Sequence, residues 1–179
     1  PGPPPRSIRY PAAGTSNAEV GLALVALDGT ATGVDWGGGP DGEFEYLAGV
    51  RWAAGEPLTL TVQTRDQRTL AVLTADPDSG ETTEHYRITD DHWVELVPGS
   101  PRWWEGSLLT VEDRVDTRCL VLDGEALSPA GLQVRSVVGI ADGAVLARAS
   151  SDPLDVDLAW MGRDGSVEIV SGADGVCSA

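Results

Sequence analysis

Lysine is absent from this chain. All twelve basic residues among its 179 are arginine, set against 28 acidic ones, and the formal net charge is −16. So acidic a surface repels phosphate backbones and anionic headgroups, which disfavours nucleic acid and membrane as partners. Halophily would explain the charge. A GC-rich codon bias explains it too, and also covers the missing lysine. Cysteine is nearly absent: Cys119 and Cys177 stand 58 positions apart, neither in a C-x-x-C pair. They make no disulfide framework and no zinc motif, and read as free buried thiols of a cytoplasmic protein. No apolar run approaches the ~18 residues of a membrane helix. The opening Pro1-Gly2-Pro3-Pro4-Pro5-Arg6 lacks the apolar stretch of a signal peptide. Residues 1–9 read as a linker from a longer polypeptide.

Helical periodicity is missing as well, whereas strand signals are everywhere. Leu58-Thr59-Leu60-Thr61-Val62-Gln63 alternates apolar and polar with period two, as a half-buried strand does. Val20 to Leu27 is almost wholly apolar and is expected to form a strand covered on both faces. Further strands are expected at Tyr46 to Trp52, Thr69 to Ala75, Glu84 to Ile88, Trp93 to Val97, Leu108 to Val111, Arg118 to Leu122, Leu132 to Ile140, Ala144 to Ala149, Asp157 to Trp160 and Ser166 to Val170. Between them stand Asp28-Gly29, Asp78-Ser79-Gly80, Asp123-Gly124, Asp142-Gly143 and Asp164-Gly165. Asp-Gly supplies the positive backbone angles of tight hairpins, so the pattern is an antiparallel meander.

The meander repeats. Val50-Arg51-Trp52, Gly55 and the strand from Leu58 open one unit, with turns at Arg65 to Arg68 and at Gly80. Arg102-Trp103-Trp104, Gly106 and Leu108-Leu109 open a second, with turns at Asp113 and Gly124. Val138-Gly139-Ile140, Gly143 and Val145-Leu146 open a third, with turns at Asp152 and Gly165. Four strands in roughly 40 to 50 residues is the signature of a propeller blade. The expected fold is therefore all-β: a partial β-propeller of about three four-stranded antiparallel blades, with ragged half-blades at both ends. Its boundaries fall at 10–36 for the end of one blade, 46–90, 91–128 and 132–171 for three blades, and 172–179 for the start of the next. A sandwich or barrel of similar meanders is the competing reading. Propellers close at four to eight blades. An unclosed arc leaves apolar sheet faces, so the chain is expected to be an excerpt, or to self-associate or bind a partner through those open faces.

Catalytic motifs are missing. No serine sits in Gly-x-Ser-x-Gly; Gly14-Thr15-Ser16-Asn17-Ala18 comes nearest but ends in alanine and precedes a strand, so no nucleophile elbow is present. Gly37-Gly38-Gly39-Pro40-Asp41-Gly42 matches the dinucleotide fingerprint by letter. Phosphate binding needs a helix after the glycines, and here two acids and a strand follow. Asp76-Pro77-Asp78-Ser79-Gly80-Glu81 lacks a full calcium-loop ligand set and reads as an acidic turn. His85 and His92 have no carboxylate motif or cysteine beside them and read as surface residues rather than metal ligands. No metal and no cofactor is expected. Trp52 and Trp104 recur at one point of their repeats and are expected to pack between blades. Trp93 falls outside that register, so His92, Trp93 and Glu95 are the candidates for lining a substrate channel.

The segment Ser7-Ile8-Arg9-Tyr10-Pro11-Ala12-Ala13-Gly14-Thr15-Ser16-Asn17-Ala18-Glu19-Val20 resembles the R-Y-P-x-A-G-x-x-N-x-x-V stretch of the dipeptidyl peptidase IV group of prolyl-oligopeptidase-like serine peptidases. Tyr46 to Trp52, Gln63 to Arg68, His92 to Leu96 and Gly131 to Arg135 follow in the same order, and they look most like actinobacterial members. The resemblance implies an eight-bladed propeller joined to an α/β-hydrolase domain that cleaves dipeptides from peptide N-termini. It further implies that this chain is a non-catalytic propeller segment, scaffolding and gating peptide access to a hydrolase domain that lies outside it. The amine-gripping acids would lie upstream and the catalytic serine, aspartate and histidine downstream, so none of them carries over to a residue here. Some members place Phe-Arg after Trp-Val, near the substrate; here the corresponding stretch is Leu96-Val97-Pro98, a departure from the family pattern at that contact. The alternative function is a stand-alone propeller-like module that binds peptides or proteins; a sugar-binding β-protein is a third reading.

Overall fold

The computed structural model describes residues 14–39, 42–171 and 175–177. The linker-like start, half of the Arg-Tyr-Pro segment and most of the C-terminal stretch therefore lie outside the described residues. Among those described there is no helix, and fourteen strands form four antiparallel sheets. The first is a pair, β1 (Ala23–Val25) and β2 (Ala31–Gly33). The second holds β3 (Tyr46–Arg51), β4 (Leu58–Gln63), β5 (Thr69–Ala75) and β6 (Thr82–Thr89). The third holds β7 (Arg102–Trp104), β8 (Ser107–Arg114), β9 (Thr117–Leu122) and β10 (Glu125–Ala126). The fourth holds β11 (Gln133–Ala141), β12 (Ala144–Ser150), β13 (Asp157–Gly162) and β14 (Val167–Ile169). Each sheet pairs its strands in chain order, the meander of a propeller blade.

Alternation of side chains builds the stack. On β5, Ala71 and Leu73 join Val34, Trp36, Phe44, Leu60 and Val62 between the first and second sheets. Leu70 and Val72 point the other way, to Val94, Trp103 and Leu108 of the third sheet and its approach. Trp104, next to Trp103, faces the fourth sheet with Leu109, Leu120, Val134, Val145 and Met161. Three successive interfaces, each closed by adjacent residues facing opposite ways, define layered blades; a sandwich would have one. The turns Glu105-Gly106, Asp123-Gly124 and Asp142-Gly143 carry positive φ at both positions, the geometry that keeps two-residue hairpins in step with strand twist.

Four expectations fail locally. Trp93 to Val97 is not a strand: buried Val94 and Val97 are three residues apart, whereas a strand would bury every second one. Among the described residues, Val20 to Leu27 is not covered on both faces, since Val25 and Leu27 are exposed, and Leu22 and Leu24 pack on one side of the two-stranded sheet. Trp52 lies just past β3 and is 59% exposed, while Trp104 is buried. Asp113 belongs to β8, and the turn falls at Val115 and Asp116 instead, because Arg114 pairs with Thr117. Of the two free thiols, Cys119 is buried and Cys177 only partly so.

Candidate functional site

The crossing from β6 to β7 carries the three sequence candidates. Asp90 starts it: its Oδ1 accepts from the His92 amide at 2.7 Å and the Trp93 amide at 3.2 Å, an Asx turn that reverses the chain. The Val94 amide then donates to the Gln67 carbonyl at 2.7 Å, and Gln63 Nε2 donates to the Val94 carbonyl at 2.9 Å. Val94 and Val97 anchor the crossing in the core, so His92, Trp93, Glu95 and Leu96 project outward. Trp93 is 61% exposed.

The structure brings Trp93 and Glu95 together around a shallow pocket with Glu112 and Asp113, but its free volume of about 20 Å³ is room for one water. His92 stays apart: its Nδ1 is 3.7 Å from Asp90 Oδ1 and its side chain is 85% exposed. That is not an oriented base. Glu95 faces Arg118, whose guanidinium is held above its usual range, first by its hydrogen bonds to Asp113 and also by the Glu95 charge. Arg118 grips Asp113 with Nε at 2.9 Å and Nη2 at 3.1 Å, the bidentate fork that carboxylates favour. The arrangement presents an exposed indole face beside a paired charge.

Sequence reasoning missed a buried network on β8 beside that pocket. Glu112 is 9% exposed. It accepts from Thr110 Oγ1 at 2.6 Å and from Arg114 Nη2 at 3.0 Å. Burial, followed by the Glu112 charge, pushes the Tyr86 hydroxyl above its usual range. Reading Asp113 as a turn hid this, because period-two counting through Thr110 and Glu112 would have placed both on one inward face. Sequence reasoning also missed Arg51 and Arg102, which meet between the second and third sheets. The signal was legible there: an arginine precedes tryptophan in both repeats.

Among the described residues no group of three histidines, cysteines or acids lies together to hold a metal. The Asp76 carboxylate is turned into its own hairpin, accepting from the Asp78 and Ser79 amides at 2.8 and 2.9 Å, and the bond from Ser79 leads in holding it below the usual range. The glycine-rich stretch, of which residues 40 and 41 lie outside the described residues, leads through a parallel bridge between Gly38 and Phe44 into β3 and not into a helix. His85 stacks edge-on against Trp103 at 4.7 Å.

Layered four-stranded meanders with an exposed crossing between them define a segment of a β-propeller. The family model of the dipeptidyl peptidase IV N-terminal region matches residues 2–120, and the chain belongs to that family. Among solved structures it is similar to one from Bacteroides ovatus assigned as a dipeptidyl aminopeptidase IV, at a TM-score of 0.71 and 18% identity, over 89% of this chain. The chain spans 27% of that protein's length. No curated protein sequence matches it.

Proposed function

We propose that this chain is a non-catalytic propeller segment of a serine exopeptidase of the dipeptidyl peptidase IV kind, supporting and gating the approach of peptides to a hydrolase domain elsewhere in the parent polypeptide. The remaining blades and that domain are its partners, and Trp93, with Glu95 and His92 beside it, contacts the passing peptide. Family membership over residues 2–120 carries the reading; the exposed, doubly anchored crossing at Trp93 supports it. We also place the protein in the cytoplasm of an actinobacterium, on the strength of two unbridged thiols and the arginine-only composition.

Two measurements test this. The chain alone is expected to release no chromophore from Gly-Pro or Ala-Pro substrates; turnover that a serine-directed inhibitor abolishes would overturn the non-catalytic assignment. In the parent polypeptide, Trp93→Ala is expected to lower kcat/KM for peptides by roughly 3- to 10-fold, the loss of one aromatic contact, while leaving short chromogenic dipeptides unchanged. Equal loss on both substrates would remove Trp93 from the peptide path.

A further inference from the structure

The second and third sheets meet at their first strands around a cavity of about 230 Å³, lined by Gly49, Arg51, Thr59, Thr61, Ser100 and Arg102. Two arginines converge there, in a chain with 12 basic and 28 acidic residues. Their surroundings differ. Arg51 Nε is paired with Glu56 Oε2 at 3.2 Å. Arg102 has no carboxylate within ion-pair distance among the described residues. Its Nε donates to the Gly99 carbonyl at 2.9 Å and its Nη2 to the Val138 carbonyl at 3.4 Å. Those neutral acceptors fix the guanidinium in place, and the only carboxylate acting on it among the described residues is Glu56, which it shares with Arg51. Burial, and then the like charge of Arg51, act against that charge and outweigh the support of Glu56, yet a guanidinium stays protonated in proteins. A half-buried cation beside a second cation is costly unless an anion completes the group.

The rest of the wall suits an anion too. Ser100 Oγ accepts from the Val111 amide at 3.0 Å, so its own hydrogen remains to be donated. Thr61 adds a second hydroxyl. Thr59 does not, because its hydroxyl already donates to the Pro57 carbonyl and accepts from the Trp103 indole. At Gly49 the β3–β4 pairing slips by a bulge, and the missing side chain keeps the space open; bulges recur beside binding sites.

We infer that this cavity is a subsite for a carboxylate, gripped by Arg102 together with Arg51 and hydrogen-bonded by the Thr61 and Ser100 hydroxyls. Charge selects the ligand. One carboxylate, Glu56, serves both arginines, and one positive charge of the pair is left over. A carboxylate carries one negative charge; a phosphate near its dianionic state carries nearly two. A guanidinium held from one side presents its free edge to a carboxylate as a fork. The carboxylate is that of a peptide, at its C-terminus or on an acidic side chain, or that of a small organic acid. The inference does not rest on the peptidase assignment.

The test is a titration of the chain with sodium acetate at low ionic strength, followed by NMR of the arginine side chains. Binding is expected with a dissociation constant on the order of millimolar. Arg102→Gln is expected to weaken it at least about tenfold. Since that change also removes two structural hydrogen bonds, Thr61→Val serves as the second variant: it preserves shape and charge and is expected to weaken binding a few-fold. Exposed Arg68→Gln is expected to bind as the parent does. Three peptides separate the sources: one with a free C-terminus, the same peptide amidated, and a doubly capped peptide with an internal aspartate. Binding of the first and not the second assigns the site to peptide termini, and binding of the third assigns it to acidic side chains. Binding of acetate and of none of the peptides supports a site for small organic acids and leaves the peptide-gating reading untouched. No shift up to about 100 mM acetate would overturn the subsite, as would equal binding by the parent, Arg102→Gln and Thr61→Val.

Discussion

Gly99→Ala is expected to lower the unfolding free energy by about 2–5 kcal/mol, combining overpacking with a left-handed backbone penalty. Gly99 has φ +80°, and a Cβ built there would lie 1.9 Å from the Val137 carbonyl oxygen. That oxygen is backbone, held where the Val137 amide donates to the Pro98 carbonyl at 2.9 Å. Neither partner can swing aside as a flexible side chain would, so the third and fourth sheets must separate at their first strands. Gly106→Ala is the internal control. It has φ +85° with nothing within 4 Å, so it carries only the backbone penalty of about 1–2 kcal/mol. Urea unfolding of the two variants, run side by side, reads the difference. Equal losses would mean that the sheets are not in contact at Gly99.

Leu120→Ala is expected to cost about 2–5 kcal/mol, the range for emptying a fully enclosed leucine site. Leu120 lies on β9 at 0% exposure, among Leu109, Val134, Val145 and Met161. The residues around it belong to paired strands of two sheets, so they cannot collapse far into the void. Leu154, 84% exposed, gives the contrast: Leu154→Ala is expected to stay within about 0.5 kcal/mol. A shift of the urea midpoint at Leu154 as large as that at Leu120 would contradict the stacked-sheet core. Both variants act on stability against a total of about 5–15 kcal/mol for a domain, so either can unfold a large fraction of the chain.

Much of the fold was legible because strands announce themselves locally. Leu58 to Gln63 alternates strictly and forms a strand as expected, but it is buried on both faces rather than half-buried: its leucines and valine lie in one interface, and its polar face is covered from the other side, where Trp103 donates to Thr59. Gly55, Gly106 and Gly143 mark the first hairpin of each four-stranded sheet, all at positive φ, as their spacing implied. Trp93 to Val97 was misread because its composition is strand-like, while its hydrogen bonds go to Gln67 and Gln63 of another hairpin. No local pattern encodes that.

The candidate site was legible in part. Trp93 stood outside the tryptophan register and is exposed, but Trp52, inside that register, is exposed to the same extent, so the register did not separate packing tryptophans from surface ones. The grouping of Trp93 with Glu95 and Asp113, and the pairing of Asp113 with Arg118, required the crossing to lie against β8. The isolation of His92 was equally invisible.

Period-two alternation and Asp-Gly turns are near-neighbour properties, so the linear order of residues was enough to specify the meander, its repeat and its kinship. Which sheet each side chain faces was decided only once the sheets stacked, because contacts such as those of Arg102 with Val138 and of Trp103 with Thr59 join residues 36 and 44 positions apart, and nothing local sets the distance between them.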